Sequence, residues 1–338
     1  MLHYDRPVGH SFRGGGGRTA DRLYKRRSAS MRRVISVATL AATVLVTTAG
    51  PAVADDHVPD PAPSYSYLGG VQAELTGPGQ SPPGANDRSC RRTAAHPNPV
   101  VLLHGLSNDT ISWNTLSPVL ADAGYCVYTT TYGSEGLGPI GATAPVQDSA
   151  TQIGNFIDRV EAATGAKQVD LVSHSIGGVV AYYYLSRLGW ASKIGRYVAL
   201  AAPLHGSTVS GLAGVQPLVE STGSGAAATR HCGPCQLSPG APFLQDLEPN
   251  PDATPAIPFT MIVTRYDQIA TPYTTGLLDG PNVHNVVLQD LCPTDFTEHN
   301  ELTSDPVAIH EVLDALDPAH ATPPTCTVVL PLLGPPSR

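Results

Sequence analysis

Val169-Asp170-Leu171-Val172-Ser173-His174-Ser175-Ile176-Gly177-Gly178 reads as a short apolar strand that runs directly into a helix. A continuous apolar run of this length suits a strand buried on both faces, as in a parallel sheet. The turn between the two elements carries Ser-x-Ser-x-Gly, with Ser173 and Gly177 two residues either side of Ser175. A sharp strand-to-helix turn needs small residues at those flanking positions, because the neighbouring strand and helix come close. It leaves its central serine strained and exposed at the end of the strand. The standard pattern begins with Gly. Ser173 departs from it but is still small, so Ser175 is the candidate nucleophile.

Outward from this turn, strand and helix signals alternate. Upstream, Val100-Val101-Leu102-Leu103 is a second buried strand, followed by a helix over about 112–123 and an apolar run over 125–131. Val146, Ala150, Ile153, Ile157 and Val160 recur at steps of three and four and mark one face of a helix that begins at Pro145. Downstream, a helix from Ile176 to Leu188 leads to strands over 197–201, 259–264 and 283–288. A last helix is capped by Asp305, with Pro306 in its first turn. Alternation of this kind gives an α/β fold with a mostly parallel central sheet and helices on both faces. Residues 203–258 break the alternation and are rich in Gly, Ala, Ser and Pro, so they are expected to form a cap- or lid-like insertion. Residues 55–98 read as an extended Pro/Gly-rich lead-in, 99–318 as the folded domain and 319–338 as a C-terminal tail.

The residues around Ser175 suggest acyl-transfer chemistry. Two N–H donors must face a developing oxyanion. Ile176, directly after the serine, supplies one, and Leu106 in His104-Gly105-Leu106 supplies the other. In this arrangement the acid and then the base follow the nucleophile in the chain. Asp267, in Arg265-Tyr266-Asp267, lies just beyond a buried strand, unlike its rivals Asp246, Glu248, Asp252 and Asp279. His205 and His231 precede that acid. His284 falls within a strand, His310 within the last helix, and His320 in the tail. His299, in the loop after the last strand, is therefore the candidate base. His104 precedes the nucleophile and is expected to shape its loop.

The chain of 338 residues has 20 Lys and Arg against 28 Asp and Glu. Met31-Arg32-Arg33, the apolar run from Val34 to Ala49 and Pro51-Ala52-Val53-Ala54 have the layout of a secretory signal peptide over 31–54, with cleavage after Ala54. Residues 1–30 then read as a gene-model extension. Removing 1–54 leaves 11 basic and 26 acidic residues, a balance of −15. Such a surface repels nucleic acid and anionic membranes. No later apolar run replaces the first, so no stable transmembrane anchor is expected. An even set of six cysteines in an exported chain argues for disulfides. Proximity in the chain suggests Cys90–Cys126, Cys232–Cys235 and Cys292–Cys326. The Cys232-Gly233-Pro234-Cys235 stretch has redox-motif spacing, but the residues after it are poor helix formers, which favours a structural bridge. No second ligand pair accompanies it, so zinc is not expected, and the sequence calls for no cofactor.

Taken together, Pro99-Val100-Val101-Leu102-Leu103-His104-Gly105, Asp122-Ala123-Gly124-Tyr125-Cys126-Val127, Asp170-Leu171-Val172-Ser173-His174-Ser175 and Thr264-Arg265-Tyr266-Asp267 with Thr271-Pro272-Tyr273 resemble the secreted class 2 lipases of actinobacteria. The likeness runs over about 86–318. It implies the α/β-hydrolase fold and triacylglycerol lipase or esterase activity, with Ser175, Asp267 and His299 at the matching triad positions. The expected partner is a lipid or small ester met at a lipid–water interface, and the expected state is a secreted monomer. A polyester depolymerase or acyltransferase with the same triad is an alternative within the enzyme class. A non-catalytic hydrolase-like binding module is the alternative outside it.

Overall fold

In a computed structural model, residues 63–134, 136, 138–210, 232–247 and 256–336 are described. All of them fall within the compact unit 59–338. The expected extension and signal peptide at 1–54, most of the 203–258 insertion, and His231, Glu248 and Asp252 lie outside the described residues.

Among the described residues, six strands form one sheet in the order β2-β1-β3-β4-β5-β6. They are β1 (Val100–Leu103), β2 (Val127–Thr129), β3 (Val169–His174), β4 (Ile194–Leu200), β5 (Phe259–Val263) and β6 (Val283–Val287). Every pairing is parallel. The apolar runs are continuous because both faces are covered. Val101, Leu103, Leu171 and Ala199 point into one core, while Val100, Leu102, Val172 and Leu200 point into the other. This is the period-two alternation of a strand, here with apolar residues on both sides.

The α-helices among the described residues are α1 (Tyr67–Thr76), α2 (Leu116–Asp122), α3 (Val146–Thr164), α4 (Ile176–Ser186), α5 (Pro242–Leu247), α6 (Leu288–Leu291) and α7 (Pro306–Leu316). α3 buries Val146, Ala150, Ile153, Ile157 and Val160 in the first core, together with α4. α7 buries Val307, Ile309 and Val312 in the second, together with Trp113 and Leu116. Asp305 caps α7 by accepting from the N–H of Ala308 at 2.6 Å.

Three segments differ from the sequence reading. The expected helix over 112–123 is split into a 3-10 turn at Thr110–Trp113 and α2 from Leu116. Pro118 explains the late start, since a residue without an N–H is tolerated only in a first turn. The lead-in holds a helix, α1, built mostly from residues of ordinary helix propensity. The C-terminal tail is packed: Val329 is buried and bridges in parallel to Asp295, and Cys326 is bonded to Cys292. The other disulfides are Cys90–Cys126 and Cys232–Cys235.

Candidate active site

The carboxyl ends of the parallel strands present their loops along one edge of the sheet, where ligand sites of such sheets form. Ser175 stands between β3 and α4 with φ 55° and ψ −131°. A positive φ at a non-glycine residue is strained, and the surroundings hold it there. Its N–H donates to the Leu200 carbonyl at 2.9 Å, and its own carbonyl accepts from Gly178 N–H at 2.9 Å. Gly177 is required by close approach: a Cβ there would lie 2.5 Å from the His104 carbonyl oxygen. Ser173, the departure from the usual motif, is accommodated because its hydroxyl donates to the Val198 carbonyl at 3.2 Å. That satisfies the one polar group which glycine would not have brought.

The structure brings Ser175, His299 and Asp267 together across 124 and 32 residues of chain. His299 Nε2 is 2.9 Å from Ser175 Oγ, and His299 Nδ1 is 2.8 Å from Asp267 Oδ2. An ionised carboxylate only accepts, so Nδ1 carries the proton and Nε2 turns a lone pair toward the serine hydroxyl. Asp267 Oδ1 accepts from the N–H groups of Ile269 at 2.8 Å and Ala270 at 2.7 Å. The acid is thus fixed at both oxygens and has little freedom to rotate. Gln268 links the two loops: its Oε1 accepts from His299 N–H at 3.3 Å and its Nε2 donates to Glu298 Oε2 at 2.7 Å.

Leu106 follows Gly105, whose backbone lies against Ser175: a Cβ on Gly105 would sit 3.2 Å from Ser175 Cβ. The next residues are locked in place, with Ser107 N–H donating to the Gly141 carbonyl and Gly141 N–H to the Asn108 carbonyl, both at 2.9 Å. Ile176 opens α4, where first-turn N–H groups have no partner within the helix. His104 is buried and braces this loop. Its Nδ1 is 2.9 Å from the Gly105 carbonyl, its ring stacks on Tyr132 at 4.4 Å, and its carbonyl accepts from the Tyr132 hydroxyl at 2.6 Å. Burial pushes the His104 imidazole down to about 4, so it is neutral at physiological pH.

The rivals lie elsewhere. Asp246 and Asp279 are exposed, and so are His205, His284 and His320. His310 is half-buried beside Asp314. Among the described residues, no group of three or more His, Cys, Asp or Glu could hold a metal ion.

Sequence reasoning missed two features of the loop that carries His299. The first is His174, whose Nε2 lies 2.8 Å from the His299 carbonyl oxygen. Its only sequence signal is its place just before the nucleophile. The second is a set of buried acids, Asp295, Glu301 and Asp305. Asp305 is pushed up to about 7 by burial and by the charge of Asp295. Glu301 is pushed up to about 8 by burial first, then by Asp305, Glu298 and Asp295, against a Tyr67 N–H that donates to its Oε2 at 2.9 Å. An acid raised in the fold binds its proton more tightly than in the unfolded chain. Its stabilisation is therefore lost progressively as pH rises from about 4 toward the folded value. The thermal midpoint is expected to fall between pH 5 and pH 8. In Glu301→Gln that fall should be smaller by on the order of 5 °C, as read by calorimetry at both pH values. Parallel curves would mean that Glu301 is ionised in the fold.

The family described as "Lipase (class 2)" matches residues 97–311. Among solved structures, lipase B of Aspergillus fumigatus aligns at TM-score 0.53 and 17% identity, over 73% of this chain and 57% of its own. This chain therefore spans a little over half the length of that lipase. The mature form of the Bacillus licheniformis lipase BlEst2 aligns at TM-score 0.42 and 16% identity, over 62% of this chain and 87% of its own. A monoacylglycerol lipase of Paleococcus ferrophilus aligns at 0.43 and 18%, over 56% and 85%. At 17% identity the likeness to the Aspergillus lipase is one of fold, and that fold is the α/β-hydrolase fold.

Proposed function

The chain belongs to the class 2 lipase family, and from that membership we propose that it hydrolyses carboxylic esters, acylglycerols in particular, with Ser175, His299 and Asp267 as its catalytic triad. The observation that carries this reading is the unbroken pair of contacts from Ser175 Oγ to His299 Nε2 and from His299 Nδ1 to Asp267 Oδ2.

His299 Nε2 takes the hydroxyl proton as Ser175 Oγ attacks the ester carbonyl carbon. The carbonyl oxygen becomes the oxyanion and accepts from the N–H groups of Leu106 and Ile176. Asp267 holds the Nδ1–H tautomer and stabilises the imidazolium. The C–O bond to the alcohol then breaks, and His299 returns the proton to the departing oxygen. A water molecule, deprotonated by His299, attacks the acyl carbon; the bond from that carbon to Ser175 Oγ breaks, His299 returns the proton to Oγ, and the acid product leaves. No cofactor enters this sequence of steps.

An apolar substrate is favoured by the side chains beside these groups. Leu106 is 39% exposed, Ile140 45% and Ile269 38%, and each lies on or against a loop that carries a site residue. Tyr266 and Phe296, also exposed, meet between the acid and base loops with ring centroids 5.5 Å apart and a tilt of 45°. Three disulfides favour an oxidising, extracellular setting. Among the described residues, no helix is long and apolar enough to cross a membrane.

The test is a kinetic series over nitrophenyl esters of increasing acyl length and emulsified triacylglycerol, run beside labelling with a fluorophosphonate probe. Hydrolysis with the probe on Ser175 is the expected result. Labelling with no turnover of any ester would favour an acyltransferase. Absence of both would favour a non-catalytic binding module.

A further inference from the structure

His174 ends β3 directly before the nucleophile, and its side chain is buried, with 2% of the residue exposed. Its ring lies 4.8 Å from the His299 ring, tilted by 48°. The partner of its Nε2 is the main-chain carbonyl oxygen of His299, at 2.8 Å. A carbonyl oxygen only accepts, so this nitrogen carries the proton. The other nitrogen, Nδ1, is buried without a hydrogen-bond partner. It faces Gly105, where a Cβ would stand 3.0 Å away. Burial first, and then the neighbouring His299, push His174 down to about 3, so the ring is a neutral donor over the working pH range.

The other ties of the His299 loop lead in different directions. Gln268 and Thr264 bind it to the loop and strand end that carry Asp267: Thr264 Oγ1 donates to the Thr297 carbonyl at 2.6 Å, and Gln268 bonds to Glu298 and His299. Ser304 Oγ meets Thr115 Oγ1 at 3.1 Å, and Glu301 meets the start of α1. The acid and base loops are therefore fastened to each other independently of the nucleophile. Apart from the His299–Ser175 contact itself, the tie from the Ser175 turn to the base loop among the described hydrogen bonds is the one from His174.

We propose that His174 is a positioning residue for the reaction, whose Nε2–H holds the main chain of the base loop at the separation from which His299 Nε2 reaches Ser175 Oγ. This rests on the reading of Ser175 and His299 as nucleophile and base. His174 touches no reacting atom and acts only through the backbone of His299. The ring leaves Nδ1 unpartnered in the interior, which is unfavourable. An apolar residue of similar size would avoid that cost but could not donate to the carbonyl.

The experiment compares His174→Phe, which fills the space without a donor, with His174→Gln, whose side-chain amide places an N–H near the position of Nε2. In His174→Phe, kcat on a soluble nitrophenyl ester is expected to fall about 10- to 100-fold with KM little changed, since a small misplacement of a reacting pair costs that much. Fluorophosphonate labelling of Ser175 should slow by a similar factor, and the kcat/KM–pH profile should be displaced from the parent's. His174→Gln is expected to recover most of kcat. Parent-level kcat in a folded His174→Phe, or equal loss in both folded variants, overturns the proposal. Should His174→Phe fail to fold, nitrogen-15 spectra of the parent decide instead. A His174 ring that stays neutral with its proton on Nε2 from pH 5 to 9 supports the proposal, and one that titrates there or carries its proton on Nδ1 overturns it. A parent that neither turns over esters nor labels at Ser175 would instead remove the triad reading beneath it.

Discussion

Ser175→Ala is expected to lower kcat on a soluble ester by on the order of a million-fold, the scale found when the nucleophile of a serine hydrolase is removed. The loss is confined to chemistry because the change deletes one oxygen. The N–H of Ser175 would still donate to Leu200, and Ala occupies the φ of 55° at a cost similar to that of Ser. The thermal midpoint should therefore stay close to the parent's. Some acceleration over the uncatalysed reaction should persist, because Leu106 and Ile176 still offer their N–H groups to a carbonyl attacked by water. Folded Ser175→Ala protein that turned over the ester at the parent rate would place the nucleophile elsewhere.

The second large effect is expected from Asp267→Asn, at about ten thousand-fold in kcat. Asn has nearly the same shape. Its amide oxygen would keep the bonds from the Ile269 and Ala270 N–H groups, now made to Oδ1. The amide NH2 then faces His299 Nδ1, where two donors cannot meet. The imidazole would move its proton to Nε2 and point it at Ser175 Oγ, so that the base could no longer accept. KM should change little, because Asp267 does not face substrate. Stopped-flow acylation measures the loss directly. A loss below tenfold would mean that the carboxylate neither sets the tautomer nor supports the charge on His299.

Much of the sheet was legible because its strands are buried on both faces and read as continuous apolar runs. The turn at Ser175 was legible because strand, small residues and helix follow each other locally. Asp305 and Pro306 marked the start of α7 in the same way. Asp267 and His299 could be picked out by chain order and by their places after strands, but the contacts between them come from parallel stacking of distant segments. The role of the chain around His174 was not legible for that reason: its partner is 125 residues away, and the bond is made to a backbone atom that any residue would supply. α1 was missed because none of its residues is buried, so it leaves no apolar stripe to read. The packed tail was missed because most of its residues are exposed: among its described residues Val329 and Gly334 are buried, and the bridge from Val329 to Asp295 and the Cys292–Cys326 disulfide attach it. Pro118 was visible, and it should have moved the start of α2.

In the proposed reaction Leu106 contributes its backbone N–H, while the residue itself is 39% exposed. The two contributions can vary independently. Ile140 and Ile269 are likewise exposed, and neither is a member of the Ser–His–Asp array. On the proposed function, substrate preference is therefore expected to drift through these apolar positions while Ser175, His299 and Asp267 remain unchanged. A mutagenesis library confined to Leu106, Ile140 and Ile269 would sample new selectivities at little risk to turnover. The arrangement separates what is evolvable from what is essential.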